Sequence, residues 1–282
     1  MALGTVQKPV RRLGRALQSL PADPSIEAVH DLRTSTRRVE AIIAALSLDQ
    51  QKPTRRLLKI IKAVRKAAGA VRDMDVLAGN AITLARNPRD DSVLRLLQHL
   101  HYLRIHCAHR LLDTVAANRK DARRCLKRFS RQIERWFNKE NSPQTNGTAL
   151  RQPHRQAVAK LLNDLQHWPQ LDAGNLHAFR IKIKELRYLL QLGKNADAGL
   201  LDALDTARQQ IGDWHDWLEL AKIAEKTLDP KNDQAALKKI AGIQNRKFSE
   251  ALRAAEEVKT LSPRSAKPPT ASTRLAARSR SA

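Results

Sequence analysis

A short basic pattern occurs twice in this chain, and its spacing restricts the backbone that can present it. The frame His-x-x-Arg-x-x-x-(Arg/Lys) begins at His30 and begins again at His177. On an α-helix, residues three and seven positions apart lie on one face, so each copy aligns a histidine and two cations along about 10 Å of helix. Each copy therefore predicts a helix whose basic stripe suits a repeating anion.

The sequence around the two frames also repeats. A Leu-Gln-x-x-Pro segment, ending at Pro21 and at Pro169, precedes each histidine, and a Gly-x-x-(Arg/His)-Asp segment follows at 69–73 and at 212–216. Three landmarks in the same order predict that the chain is a duplicated unit. Coincidence within an Arg-, Leu- and Ala-rich composition is the alternative.

The residue types favour helices throughout, so the predicted fold class is all-α, with each half a small helical bundle. Leu, Ala, Arg, Lys and Gln dominate, and Gly is scarce at 10 residues. Ser25 is a plausible N-cap and Pro53 opens a helix. The pattern predicts nine helices, at about 6–20, 25–47, 53–86, 90–118, 120–139, 150–167, 174–193, 197–228 and 232–260.

The predicted boundary between the halves lies in the segment from Asn138 to Thr148, which contains Ser-Pro and Asn-Gly dipeptides. The first bundle is therefore placed at 1–145 and the second at 146–261. Residues 262–282 are Pro, Ser, Ala and Arg with little to bury, so they are predicted to be a disordered basic tail.

Net charge points to a polyanionic partner. The chain has 52 Lys+Arg against 28 Asp+Glu, a formal charge of +24. Nucleic acid, polyphosphate and an acidic membrane surface are the natural partners of such a charge, and a basic protein without a specific ligand is the alternative. No signal-peptide core is present and the longest apolar run, 41–46, is too short to span a bilayer, so a cytoplasmic protein is expected.

Two further basic stripes have helical spacing. One is predicted on the third helix and one on the fifth. Either stripe alone is most simply a solvated helix face, and the alternative is that the stripes converge on a shared basic channel. Their members are Arg55, Lys59, Lys62 and Lys66, and Arg124, Lys127, Arg128, Arg131 and Arg135.

Metal and redox chemistry find little support. Cys107 and Cys125 have no Cys-x-x-Cys spacing, which argues against a disulfide framework and a zinc ribbon. The histidines at 99, 101, 106 and 109 do not share one helix face, so surface or core histidines are favoured over a metal site. Carboxylate pairs at 73 and 75 or at 213 and 216 lie in positive surroundings that disfavour a magnesium site.

Taken together, the two histidine motifs and the intervening segment Ala68-Gly69-Ala70-Val71-Arg72-Asp73-Met74-Asp75-Val76 resemble the CHAD family, the histidine-containing α-helical domain. The resemblance covers about residues 6–260. It implies two pseudosymmetric helical bundles around a basic central groove or pore, and binding of inorganic polyphosphate.

The resemblance also implies which residues bind the polyanion. In the first half these are His30, Arg33, Arg37 and Arg38, and in the second half His177, Arg180, Lys184 and Arg187. Supporting roles fall to Arg72, Asp73, His215 and Asp216, the two acids by orienting basic side chains or as plain ion pairs. Glu40 stands where the family favours a cation and is expected to pair with Arg37 or a neighbour.

No cofactor and no catalysis are expected. The chain has neither the Glu-x-Glu-x-Lys signature of the triphosphate-hydrolysing domain fused to some relatives nor a Gly-x-x-x-x-Gly-Lys-(Ser/Thr) phosphate loop. The prediction is a non-catalytic polyphosphate-binding protein, associated with polyphosphate granules. Nonspecific DNA binding and a scaffold that attaches other proteins to polyphosphate are the alternatives, and chain-length preference, oligomeric state and cellular role stay open.

Overall fold

The computed structural model describes residues 3–45, 48, 51–85, 90–140, 151–192 and 197–260, and every regular element in them is an α-helix. The all-α prediction is therefore confirmed. The eight helices are α1 (Leu3–Gln18), α2 (Ile26–Ala45), α3 (Lys52–Ile82), α4 (Asp91–Glu140), α5 (Arg151–Gln166), α6 (Leu176–Leu192), α7 (Ala198–Thr227) and α8 (Gln234–Thr260).

Two predicted helix starts are confirmed in detail. The Ser25 side chain accepts a hydrogen bond from the backbone N–H of Ala28 at 3.2 Å, which caps α2 five residues before His30. Pro53 stands in the first turn of α3, where its missing N–H has no helical partner to lose.

The predicted break between the fourth and fifth helices is wrong, because both belong to the 50-residue α4. The segment around Asn118 contains no Gly or Pro to end a helix. Asn118 donates a hydrogen bond to the carbonyl of Thr114 at 2.8 Å, so its polar side chain is satisfied within the helix. Val115 and Ala122 on either side are buried, and this packing holds the segment helical.

Three apolar cores hold the helices together. The first joins α1, α2, α3 as far as Val71 and α4 from Ala108 onwards, and contains Leu13, Leu32, Leu57 and Ile133. The second joins α5 to α8 around Trp214. The third links the two halves of the chain, because it contains residues of α3 and α4 together with residues of α7 and α8. Burial of these side chains is the main stabilising term for the architecture.

Polar contacts reinforce the connection between the halves. Asp233, before α8, is almost fully buried and accepts hydrogen bonds from Ser92 at 2.6 Å and from Arg95, both on α4. These donors lower the pKa of the Asp233 carboxyl, Ser92 contributing most. Lys239 of α8 donates to the carbonyl of Leu84 at 2.9 Å, just after α3 ends.

Helix lengths run in a similar order in the two halves: two shorter helices, α1 and α2 or α5 and α6, precede two longer ones. Internal duplication of the sequence stays a prediction that this order supports. The boundary placed at 145 and the tail at 262–282 lie outside the described residues, and so does most of the predicted linker. No helix in the described part of the chain has both the length and the apolar character needed to cross a membrane.

Candidate anion-binding site

Four predicted binding residues from the two halves lie together and form what we call the cationic cluster: Arg33 and Arg37 of α2, and Arg180 and Lys184 of α6. All four side chains are half-buried. The charges of Arg33 and Arg37 act on Lys184, and the charge of Arg37 acts on Arg180. Residues 147 positions apart in the repeated frame therefore meet at one place.

Glycine allows an arginine of each half to lie against a neighbouring long helix. A Cβ at Gly69 of α3 would lie 3.1 Å from Nη1 of Arg33, and a Cβ at Gly212 of α7 would lie 2.5 Å from Nη2 of Arg180. The second distance is shorter than real carbon contacts allow. The Gly-x-x-(Arg/His)-Asp segments thus supply the space in which these two guanidinium groups lie.

Acidic partners of the cluster are few. Nη1 of Arg33 lies 3.8 Å from Oδ1 of Asp73, which is an ion pair but is too long for a hydrogen bond. Arg180 donates from Nε to the backbone carbonyl of Arg208 at 3.0 Å. The side chains of Arg37 and Lys184 form no ion pair within the described residues.

Burial and mutual repulsion show in the pKa of Lys184. Desolvation, followed by the charges of Arg180, Arg37 and Arg33, lowers this pKa from 10.5 to about 7. Desolvation also lowers the pKa values of Arg33 and Arg180. Positive charge is therefore held here at an energetic cost, which a bound anion would offset.

Two aspartates near the cluster have raised pKa values. Desolvation raises the pKa of Asp216 to about 6, although the positive charge of Arg180 acts to lower it. Asp73 also has a raised pKa from desolvation, although its side chain is 62% exposed.

The second-half histidines lie next to each other. The rings of His177 and His215 are 4.9 Å apart between centroids and tilted by 41°. Burial lowers both pKa values, and each is lowered further by nearby cations: His177 by His215 and Arg180, His215 by Arg180. Both imidazoles are therefore mainly neutral at neutral pH in the free protein, and each can gain a proton when an anion arrives.

The first-half histidine has a different environment. His30 is exposed and lines a cleft of about 370 Å³ with Arg72, Asp75 and three residues of α2. Its Nε2 lies 3.4 Å from Oγ1 of Thr34. His30 and Arg72 thus share a concave surface beside the cluster, since the charge of Arg72 also acts on Arg33.

Comparisons with known proteins agree with this arrangement. A family model described as the CHAD domain matches residues 6–225, which is most of the chain. The chain belongs to the CHAD domain family. A solved structure, the crystal structure of the CHAD domain from the plant Ricinus communis, is similar with a TM-score of 0.61 and 18% sequence identity, covering 91% of this chain and 88% of that one. No curated protein sequence matches significantly.

In this CHAD domain the last residue of the second basic stripe is already engaged. Nε of Arg187 lies 2.9 Å from Oδ1 of Asp205, and the same oxygen accepts a hydrogen bond from Nε of Arg208 at 3.0 Å. Because the Arg208 carbonyl holds Arg180, Asp205 joins three arginines into one network. Neither Asp205 nor Arg208 is predicted from the sequence, since both lie on α7 at no repeated landmark.

The matching position in the first half carries the opposite charge. Oε2 of Glu40 lies 2.9 Å from Nε of Arg65 on α3. Of the expected partners, Arg37 or a neighbour, Glu40 takes neither Arg37 nor a residue of its own helix but Arg65 on the adjacent helix, and the charge of Arg37 acts on Lys184 of the cluster instead. Arg65 is the second basic residue of the site that the sequence pattern did not single out, and its charge acts on Arg33.

Arg38 lies apart from the other predicted binding residues. Its side chain is exposed, and its charge acts on Asp31, which pairs with Arg12 of α1 at 2.6 Å. On a helix, Arg38 points about 100° away from Arg37, so the two cannot share one face. Arg37 belongs to the cluster and Arg38 faces α1.

Three of the four carboxylates considered as metal ligands have polar or charged partners of their own. Asp75 is buried and accepts a hydrogen bond from Nε of Arg104 at 2.6 Å, whereas Asp73 faces Arg33. Asp213 accepts from Gln209 at 2.7 Å. Of the four clustered histidines, three are exposed and His99 is half-buried. Within the described residues, no group of three or more His, Cys, Asp or Glu side chains is placed to hold a metal ion.

Proposed function

We propose that this CHAD domain binds inorganic polyphosphate at the cationic cluster and catalyses no reaction on it. The observation that carries the proposal is the meeting of Arg33 and Arg37 with Arg180 and Lys184. All four are half-buried, and within the described residues the only ion pair of the cluster is that of Arg33 with Asp73 at 3.8 Å. Like charges in that arrangement repel one another, and an anion with many oxygens relieves the repulsion.

The chemistry of the side chains fits phosphate. Arginine offers a planar fork of donors that matches two phosphate oxygens, and lysine supplies a compact charge on a flexible stem. A flexible chain of tetrahedral anions can reach donors from both halves, and it needs no groove shaped to read bases. His177 and His215 add donors that become charged as the anion approaches.

The absence of catalysis is part of the proposal, and it rests on how the acids are used. Asp73 pairs with Arg33, Asp205 pairs with Arg187 and Arg208, and Asp213 accepts from Gln209. A general base needs a carboxylate free to accept a proton from substrate or water. Asp205 and Asp213 accept from neighbouring side chains, and Asp73 and Asp216 lie beside the positive charges of Arg33 and Arg180. We therefore assign these acids to balancing and orienting the cations.

In the cell, a protein of this kind would be found where polyphosphate accumulates. We propose a cytoplasmic protein associated with polyphosphate granules, held there by the cluster. A scaffold role, in which the bound domain brings other proteins to the granule, is compatible with the same binding site. Both follow from polyphosphate binding.

Nonspecific DNA binding is the second candidate, and the formal charge of +24 favours it. A cationic surface binds duplex DNA through release of counterions from the phosphate backbone. The low aromatic content of 4% gives little support to a reader of single strands by base stacking. DNA differs from polyphosphate in width and rigidity, and this difference separates the two candidates.

A competition at fixed salt decides between them. Labelled long-chain polyphosphate is bound to the full chain, and unlabelled polyphosphate or duplex DNA is added at equal phosphate concentration. We expect polyphosphate to displace the label at least about tenfold more effectively, because only a narrow flexible chain reaches the half-buried cluster. Equal displacement by the two polymers would contradict the proposal and favour a general affinity for polyanions.

A further inference from the structure

The basic stripe of α3 leads into the cationic cluster. Lys59, Lys62, Lys66, Gly69 and Asp73 follow at intervals of three and four residues, so they lie on one face of the helix. Gly69 is the residue against which Arg33 lies, and Asp73 is its acidic partner. The three lysines therefore extend the face of α3 that carries the cluster, over about 10 Å from Lys59 to Lys66.

A second set of basic residues lies on α4, the helix that packs against α3. Cys107 lies near both Arg110 and Asp73, since both charges act on its thiol. Further along, Arg56 of α3 pairs with Asp121 of α4, which also pairs with Arg124 at 2.6 Å. The two helices are therefore antiparallel. Arg110 lies opposite the Lys66 end of the stripe, and Arg124 and Arg128 lie beyond its Lys59 end.

The basic side chains of this α3–α4 surface are exposed, and most of them have no acidic partner within the described residues. Lys59, Lys62, Lys66, Arg110 and Arg128 are all solvent-exposed, and none of their side chains forms an ion pair within the described residues. Arg124 is balanced by Asp121. A surface of this kind attracts anions along its length, whereas the cluster itself holds them at one place.

We propose that the α3–α4 surface formed by Lys59, Lys62, Lys66, Arg110 and Arg128 is a second binding site that takes the continuation of a long polyphosphate chain whose other part occupies the cationic cluster. This inference rests on the proposed function. It adds a chain-length preference: a short polyphosphate fills the cluster alone, and a long one gains the contacts of the α3–α4 surface.

The continuity of the stripe favours one flexible chain as the occupant. The lysines share one face of α3 with Gly69 and Asp73, the two residues that adjoin Arg33, so a single chain can contact both places. A rigid duplex lying on the exposed lysines would leave the half-buried side chains of Arg37 and Lys184 uncontacted. Linking two contact regions in one ligand raises affinity through effective concentration.

The test compares two triple variants of equal charge. In one, Lys59→Gln, Lys62→Gln and Lys66→Gln remove the α3 lysines. In the matched control, Lys160→Gln, Lys231→Gln and Lys238→Gln remove three exposed lysines of the second half. Affinity of each full-length protein is measured for tripolyphosphate, for long-chain polyphosphate and for duplex DNA at the same salt concentration.

We expect the α3 triple variant to bind long-chain polyphosphate about tenfold more weakly than the parent, with a shallower dependence of affinity on salt. Its affinity for tripolyphosphate should stay within about twofold, which also shows that the protein is folded. The control variant should keep the parent's ratio between long and short chains.

Three results would overturn the inference. Equal losses in the two triple variants would mean that only net charge matters, and an unchanged long-chain affinity would mean that the lysines make no contact. A loss for duplex DNA alone would assign the surface to nucleic acid. In each case tight binding of tripolyphosphate by the parent would leave the proposed function standing, and its absence in the parent would count against that function instead.

Discussion

Removing the cationic cluster by Arg33→Ala, Arg37→Ala, Arg180→Ala and Lys184→Ala is expected to abolish most polyphosphate binding while the protein stays helical. Each pair of changes on α2 or on α6 should lower affinity by about a hundredfold, because a hydrogen bond to a charged group contributes about 1.5–3 kcal/mol. Titration calorimetry with polyphosphate, together with circular dichroism, gives both readouts.

Arg38→Ala is the matched control. It removes one of the same kind of charge from the same helix, but the charge of Arg38 acts on Asp31 rather than on the cluster, so affinity should change by less than about twofold. A loss as large as that of the α2 pair would show that the cluster has been assigned wrongly. Loss of helicity in the α2 or α6 pair would instead give those residues a role in the fold.

Gly212→Ala should act in the same direction without removing any charge. Its Cβ would lie 2.5 Å from Nη2 and 3.2 Å from Cζ of Arg180, so the guanidinium must move. The matching contact at Gly69 is 3.1 Å from Arg33, which a small adjustment relieves. We expect Gly212→Ala to weaken binding clearly more than Gly69→Ala does; the reverse order would contradict the role given to Arg180.

Polyphosphate binding is also expected to strengthen as pH falls. Lys184, with a pKa of about 7 in the free protein, is partly neutral at neutral pH, and a bound polyanion raises this pKa. The complex therefore holds more protons than the free protein, and acid favours it. Lys184 contributes above pH 7, where affinity should fall by up to about tenfold per pH unit for one proton taken up.

Below pH 7 the remaining dependence should come from other groups. His177 and His215 have pKa values below their ordinary value and become charged as pH falls. Asp216, with a pKa of about 6, loses its negative charge over a similar range, which further favours an anion. Both changes have the same sign as that of Lys184, so affinity should rise continuously towards acid pH.

A Lys184→Arg variant separates the two ranges, because arginine stays charged throughout. We expect this variant to bind well at neutral pH and to lose the pH dependence of affinity above pH 7. A His177→Gln, His215→Gln variant should keep the dependence above pH 7 and lose much of the dependence below it. Affinity is measured across a pH series at constant ionic strength. If Lys184→Arg retains the parent's slope above pH 7, Lys184 does not take up the proton.

The fold class was predictable because helices depend on local sequence. Residue composition, the cap at Ser25 and the proline at 53 are local signals, and the structure confirms them. The predicted break near residue 119 is wrong because packing with other helices, and not local sequence, decides the structure there. Burial of Val115 and Ala122, which depends on packing with other helices, keeps α4 continuous where propensity alone is weak.

The repeated frames indicated which helices carry the binding residues, and packing determines which of those residues meet. Arg37 and Arg38 are neighbours in sequence, but only Arg37 reaches Lys184. Arg187 continues the second stripe as expected, yet Asp205 holds it. Asp205 and Arg208 have no signal in a single sequence because their importance arises from contacts between α6 and α7.

The most direct measurement of the central claim is a crystal structure of this CHAD domain with bound polyphosphate. The account predicts phosphate oxygens within hydrogen-bonding distance of Arg37 on α2 and Lys184 on α6, so that one anion chain contacts both halves. An ordered polyphosphate that contacts neither residue, or that contacts one half only, would contradict it.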